Sequence, residues 1–326
     1  AGGSWEAVVL EADGVWWMPG QVKGRFRRIA QGEFEAETFL GNHDAVRHTA
    51  RLRNGVLRLA DGGVWVRTWP DNPSGYDRAR YRASANRSLA VRPLDDRTML
   101  IQIPSFDGSL AERIDSLVEA NWARLTATPD LIIDVRGNRG GAVRSFQALR
   151  PLLYTAPVVT DGLAVYATEE NVNAILDFVR ESRIPEDLRA RIDSLVARMR
   201  ARPGELLVSP PDTVTLDSVL PLPQRIAVLT DCLCASSCEA FIQVALQSAK
   251  VTVYGDNTGG YMDYGNVVPV RTPCPAFVLN MPIARANHLS KRAYDNVGIP
   301  PEVRVPDDVV YWLEWVHERL RGQGGA

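Results

Sequence analysis

Two continuous apolar runs limit most sharply what this chain can fold into: "LIIDVRG" at 131–137 and "RIAVLTD" at 225–231. Neither alternates with polar residues, which suits strands covered on both faces, as in parallel sheets. The flanking segments carry the same theme. "TMLIQIPSF" reads as a strand, "SLAERIDSLVEANWARL" as an amphipathic helix and "AVRSFQALRPLLY" as a second helix. "GLAVYA" and "KVTVYG" read as strands, with residues 236–248 as a helix between them. Further strands are expected near "NVVPVRT" and "AFVLNMP", and a helix at "DDVVYWLEWVHERLRG". Strand–helix alternation of this kind predicts a parallel α/β domain over residues 96–326.

Residues 1–95 have a different texture. "WEAVVLEADGVWWMPG", "GRFRRIAQGEFEAETFL" and "GVLRLADGGVWVRTW" are short alternating runs broken by Asp-Gly, Gly-Gly and Asn-Gly, the dipeptides of hairpin turns. A small β-rich domain is expected there, with 69–97 as a linker or irregular edge. Residues 168–203 are charged and read as a helical insertion, either a lid or a solvated hairpin. The opening "AGGS" reads like a cloning remnant.

Composition narrows function by exclusion. The net charge of −2 gives no reason to expect a phosphate-binding surface, and no run of 18 or more apolar residues suggests a membrane span. Lysine occurs only at Lys23, Lys250 and Lys291, and histidine only at His43, His48, His288 and His317, so candidate bases are few. Cys232, Cys234 and Cys238 have a spacing that matches zinc poorly, and no metal or other cofactor is implied. A disulfide from Cys274 to Cys232 or Cys234 is one expectation. Free buried thiols are the other.

Chemistry concentrates at two turns. In "TDCLCASSCEAF" a serine follows a buried strand and opens a helix, where the first N–H groups lack partners and the dipole favours negative charge. An oxyanion would be stabilised there, although a serine at such a place is also the ordinary helix cap. In "DVRGNRGGAV" the adjacent Gly140 and Gly141 let the backbone approach a ligand and offer amide donors. Two such turns in one parallel sheet can aim at a common crevice.

Four segments, in order, resemble the C-terminal-processing (tail-specific) and tricorn-like serine peptidases. "LIIDVRGNRGG" looks like their Asp-x-Arg-x-Asn-x-Gly-Gly stretch, and "CASSCEAF" like their serine junction. "VTVYGDNTGGYMDYGN" is similar to Gly-Glu-x-Thr-x-Gly, and "YDNVGIPPEVRV" to the closing Glu-Asn-x-Gly-Val-x-Pro-Asp. Together they span roughly residues 98–306. The resemblance implies a Clp-protease/crotonase-like core and hydrolysis of a peptide or protein substrate in a periplasmic or secreted setting. It assigns the nucleophile, three residues before Glu239, to Ser236. Ser237 and either Gly140 or Gly141 would then supply the oxyanion amides.

The tail-specific branch carries a lysine where this chain has Tyr261, so the resemblance leans to the tricorn-like branch. There Asp295 matches a glutamate that supports a histidine base, and as a plain residue Asp295 reads equally as a turn former. His43, His48, His288 and a lysine all stay open as the base, with His317 read as structural. No PDZ-like module fits between residues 98 and 326. Two rivals remain: a silent relative binding a peptide or small apolar ligand in the same crevice, and a crotonase-type acyl-CoA enzyme.

Overall fold

The computed structural model describes residues 4–9, 17–68, 70–85, 87–181, 186–271, 273–274 and 277–322. Parts of four expected strands, at 10–16, 69, 272 and 276, residues 182–185 of the expected helical insertion, and the "AGG" opening lie outside them. Six strands between Ser4 and Val66 form one antiparallel sheet in sequence order. Its hairpins follow the turn chemistry. Asn54 and Gly55 join Ala45–Arg53 to Val56–Leu59 with φ of 44° and 75°. Positive φ at both central residues is what an Asn-Gly turn supplies, and it matches the strand twist.

The core is a second six-stranded sheet in which Thr98–Gln102, Asp130–Asp134, Arg225–Thr230, Val251–Gly255 and Val303–Arg304 run parallel. Thr98–Gln102 and Asp130–Asp134 are buried at every position, as the apolar run at Leu131–Ile133 requires of the second. Alternate residues serve opposite faces. Met99, Ile101, Leu131, Ile133, Ile226 and Val228 pack with the helices Ala111–Ala120 and Ser237–Ala245. Leu100, Ile132, Ala227 and Leu229 pack under the closing helix Trp312–Gly322. This is the α/β core with a Clp-protease/crotonase-like architecture and a β-rich N-terminal sheet.

Three segments differ from expectation. Residues 69–97 include a helix, Arg78–Ala85, and a strand, Ala90–Pro93, which forms the antiparallel edge of the core sheet. The helix expected at "AVRSFQALRPLLY" is a 3-10 segment, Val143–Leu149, followed by one short turn at Arg150–Leu153. Pro151 lacks an N–H and its ring crowds the carbonyl four residues back, so an uninterrupted α-helix cannot pass through it. The helical insertion is not a solvated hairpin. Glu169–Glu181 and Glu186–Ala201 lay Val172, Ile175, Val196 and Met199 against a four-stranded sheet built from Leu163–Tyr166, Leu206–Val208, Tyr264–Arg271 and Val278–Ala286.

Candidate active site

Ser236 sits at the carboxyl end of the core sheet, between Arg225–Thr230 and the helix Ser237–Ala245. Its backbone has φ 56° and ψ −119°, a conformation an L-residue adopts only when its surroundings impose it. The result is an exposed serine on the first step of a buried helix. Ser237 is only 5% exposed, and its hydroxyl has no hydrogen-bond partner among the described residues. Of the two adjacent hydroxyls, Ser236 is the one open to solvent.

The glycine turn meets that serine directly. Gly140 has φ 92°, and a Cβ placed on it would lie 2.5 Å from the Ala235 carbonyl, 2.9 Å from Ser236 Cβ and 3.0 Å from the Ser237 nitrogen. Only glycine fits there. Asn138, wholly buried, fixes the turn: its Oδ1 accepts from the Gly140 and Phe106 amides at 2.9 and 3.2 Å, and its Nδ2 donates to the Ile103 carbonyl. The Ala235 N–H donates to the Asn138 carbonyl at 3.1 Å, so the two turns are stitched together. Gly140's own N–H is therefore committed to Asn138. Of the two expected glycine donors, Gly140 is buried with its N–H on Asn138, whereas Gly141 is exposed.

Glu239 organises the third wall. It is fully buried, and its carboxylate accepts four hydrogen bonds. The donors are the Ser236 amide at 2.9 Å, the Tyr261 amide at 2.8 Å, the Gly260 amide at 2.9 Å and the Thr258 hydroxyl at 2.6 Å. In the sequence Glu239 serves only as the mark from which the serine is counted back. Its place at the third helical position, opposite a serine cap, is the capping-box signal that foretells one of these bonds. The other three come from a segment about twenty residues on, which no local pattern reveals. Tyr261, at the position expected to hold a lysine in the tail-specific branch, is 66% exposed beside them.

The closing segment differs from expectation. Asp295 Oδ1 accepts from the Met262 and Asp263 amides, both at 2.9 Å, and contacts no imidazole among the described residues. His288 instead pairs through Nε2 with the buried Asp263 at 3.0 Å. Burial would raise the Asp263 carboxyl, but the Asp295 and Tyr294 amides and His288 outweigh it and hold it below the usual carboxylate range. The remaining candidate bases lie elsewhere. His43 stacks edge-on against Trp17, His48 meets Thr38 at 3.2 Å within the N-terminal sheet, and His317 pairs with Asp95 at 2.9 Å. Lys23 and Lys250 donate to the Phe39 and Leu220 carbonyls, and Lys291 is exposed. Among the described residues, no histidine or lysine hydrogen-bonds Ser236.

The cysteine expectation is overturned. A disulfide joins Cys234 to Cys238, whose Cα atoms are 5.5 Å apart across the tight serine turn, within ordinary bridging range. Cys232 is outside the bridge, and Cys274, itself exposed, falls in sequence between Tyr264–Arg271 and Val278–Ala286. Among the described residues no cluster of three or more His, Cys, Asp or Glu could hold a metal ion, and no helix is long and apolar enough to cross a membrane.

The signature of peptidase family S41 matches residues 97–305, well over half of the chain. The chain belongs to peptidase family S41. The matched span runs from the first parallel strand to the end of the closing segment, so every wall described above lies inside the S41 region. No curated protein matches the sequence. Among solved structures, a peptidase from Parabacteroides merdae is similar at 15% identity, covering 75% of this chain and 70% of that one, with a TM-score of 0.48. Mature CPAF, solved in complex with lactacystin, is similar at 15% identity over 88% of this S41 chain and 67% of that one, with a TM-score of 0.49. The tricorn protease is similar at 16% identity over 90% of this chain but 23% of its own, with a TM-score of 0.38.

Proposed function

We propose that this chain is a serine peptidase that cleaves peptide bonds through an acyl-enzyme on Ser236. The observation that carries the reading is the exposed Ser236, held at positive φ on a helix N-terminus with Gly140 packed against its Cβ. In the reaction Ser236 Oγ bonds to the scissile carbonyl carbon, and the proton it loses is the one the leaving nitrogen takes up. The carbonyl oxygen becomes an oxyanion that accepts from the Ser237 and Gly141 amides. Collapse breaks the C–N bond, the amine leaves with a proton, and water then hydrolyses the ester. Preorganised donors of this kind are worth about 10²–10³ in rate each.

Asp295 acts on this reading through the backbone, holding the Met262–Asp263 turn that follows Tyr261. Tyr261 in place of a lysine is the reason to put the chain nearer the tricorn-like branch. Its substrate would be a peptide or protein, with no cofactor needed. An oxidising compartment, periplasmic or extracellular, suits the Cys234–Cys238 bridge.

A second reading is a relative that binds peptides in this crevice without cleaving them. It is favoured by the engagement of His48, His288 and His317 with partners of their own. An alkyl fluorophosphonate separates the two, because Ser236 Oγ displaces fluoride from phosphorus only where the serine is activated. A peptidase gives a covalent adduct on Ser236 that Ser236→Ala abolishes. Absence of any adduct on folded protein supports the silent relative.

A further inference from the structure

Ser236 is the central residue of a five-residue covalent ring. Cys234 and Cys238 stand two residues to either side of it, and both are fully buried. Within the ring, hydrogen bonds act at the edges. The Cys234 amide donates to the Asp231 carbonyl at 2.9 Å, the Cys234 carbonyl accepts from Gly259 at 2.7 Å, and the Cys238 amide donates to the Ala235 carbonyl at 3.0 Å. Ser236 itself is held through its amide by Glu239. The unfavourable φ of Ser236 is thus closed between a covalent staple and one buried carboxylate.

The bridge also touches the other wall of the site. Cys238 Sγ lies 3.9 Å from the Val135 carbonyl, at the point where the strand Asp130–Asp134 gives way to the glycine turn. Both sulfurs belong to the apolar cluster that includes Val135, Phe106, Phe146 and Phe241. A shift of the bridge would move the serine turn and the Gly140–Gly141 turn relative to each other.

We propose that the Cys234–Cys238 disulfide is a positioning element for the reaction at Ser236, holding the serine and its oxyanion amides in register. This rests on the serine-peptidase reading. The bridge is not at risk from its neighbour. Burial, with Asp231, Asp256 and Asp61 adding to it, pushes the Cys232 thiol up to about 12, and its sulfur faces Gly62 of the N-terminal sheet. Only an outside reductant opens the ring, by transferring two electrons and two protons to give two thiols.

The test uses the full chain and an alkyl fluorophosphonate. The oxidised protein is labelled, and the maximal inactivation rate is separated from the reagent's apparent affinity. The bridge is then opened with a phosphine, its opening verified by alkylation and mass, and the same two constants are measured on protein whose near-ultraviolet circular dichroism shows it folded. Opening the ring should lower the maximal rate roughly tenfold to a hundredfold with affinity little changed, and reoxidation should restore it. If the native bridge resists the reductant, the double variant Cys234→Ala/Cys238→Ala replaces reduction, with rates expressed per folded molecule. An unchanged rate with the ring open, while oxidised protein labels at Ser236, overturns the positioning role and leaves the peptidase reading intact. Failure of the oxidised protein to label at Ser236 overturns both.

Discussion

The amides of Ser236 and Tyr261, twenty-five positions apart, donate to the same oxygen, Oε2 of Glu239, at 2.9 and 2.8 Å. One buried carboxylate therefore fixes the distance between the serine turn and the turn that carries Tyr261.

Glu239→Gln should expose that dependence. The amide matches the carboxylate in shape but turns one acceptor into a donor, which then faces N–H groups in a wholly buried setting. Leaving a buried donor unsatisfied costs about 1–3 kcal/mol, and more where a charge was involved. Urea unfolding should report a loss of at least that size, and fluorophosphonate labelling of the folded fraction should slow.

Gly140→Ala should spare the fold more than the chemistry. A left-handed backbone costs an L-residue roughly 1–2 kcal/mol. The new methyl would also press on the Ala235 carbonyl, Ser236 Cβ and the Ser237 amide, at 2.5, 2.9 and 3.0 Å. A displacement of that kind lowers a rate by roughly 10²-fold. Labelling kinetics beside circular dichroism would separate lost reactivity from lost structure.

Stability should fall on acidification in a way that Asp134 controls. Burial raises its carboxyl, but the Arg136 guanidinium, bonded to it at 2.9 and 2.8 Å, outweighs burial and holds it below the usual range. A carboxyl depressed in the folded state stabilises above its unfolded pKa of about 3.9, and that contribution is lost as pH falls through the folded value. Asp263, also depressed, adds to the same acid limb. Asp134→Asn should cost about 3–5 kcal/mol at neutral pH, because it strands Arg136, and should flatten the acid limb of the unfolding profile.

Phe241→Ala tests the floor of the site. Phe106, Phe146 and Phe241 form a closed aromatic trio with centroids 5.4, 5.6 and 5.6 Å apart, at 0–1% exposure. Removing one ring should destabilise by about 3–5 kcal/mol in thermal or urea unfolding. The loss should act on both walls, since Phe241 lies on the serine helix and Phe106 bonds to the glycine turn.

The core was legible because its strands are buried on both faces and leave unbroken apolar runs, as at Leu131–Ile133 and Ile226–Leu229. The two catalytic-looking turns were legible because glycines and a serine stood at strand–helix junctions. What escaped was non-local or marginal. Ala90–Pro93 is a four-residue, partly exposed edge strand with too little pattern to register. The pairing of Cys234 with Cys238 depends on a tight turn that spacing alone does not specify, since four cysteines permit several connectivities. Asp295 and His288 lie close in sequence, yet folding gave each a different partner: two amides for one and Asp263 for the other.

The shared reaction volume of Ser236 and Gly141 is tested most directly by a crystal structure of the chain after reaction with an alkyl fluorophosphonate. Phosphorus should be bonded to Ser236 Oγ, with one phosphonyl oxygen about 3 Å from both the Ser237 and Gly141 amides. An adduct on another residue, or a phosphonyl oxygen turned to solvent away from those two amides, would contradict it.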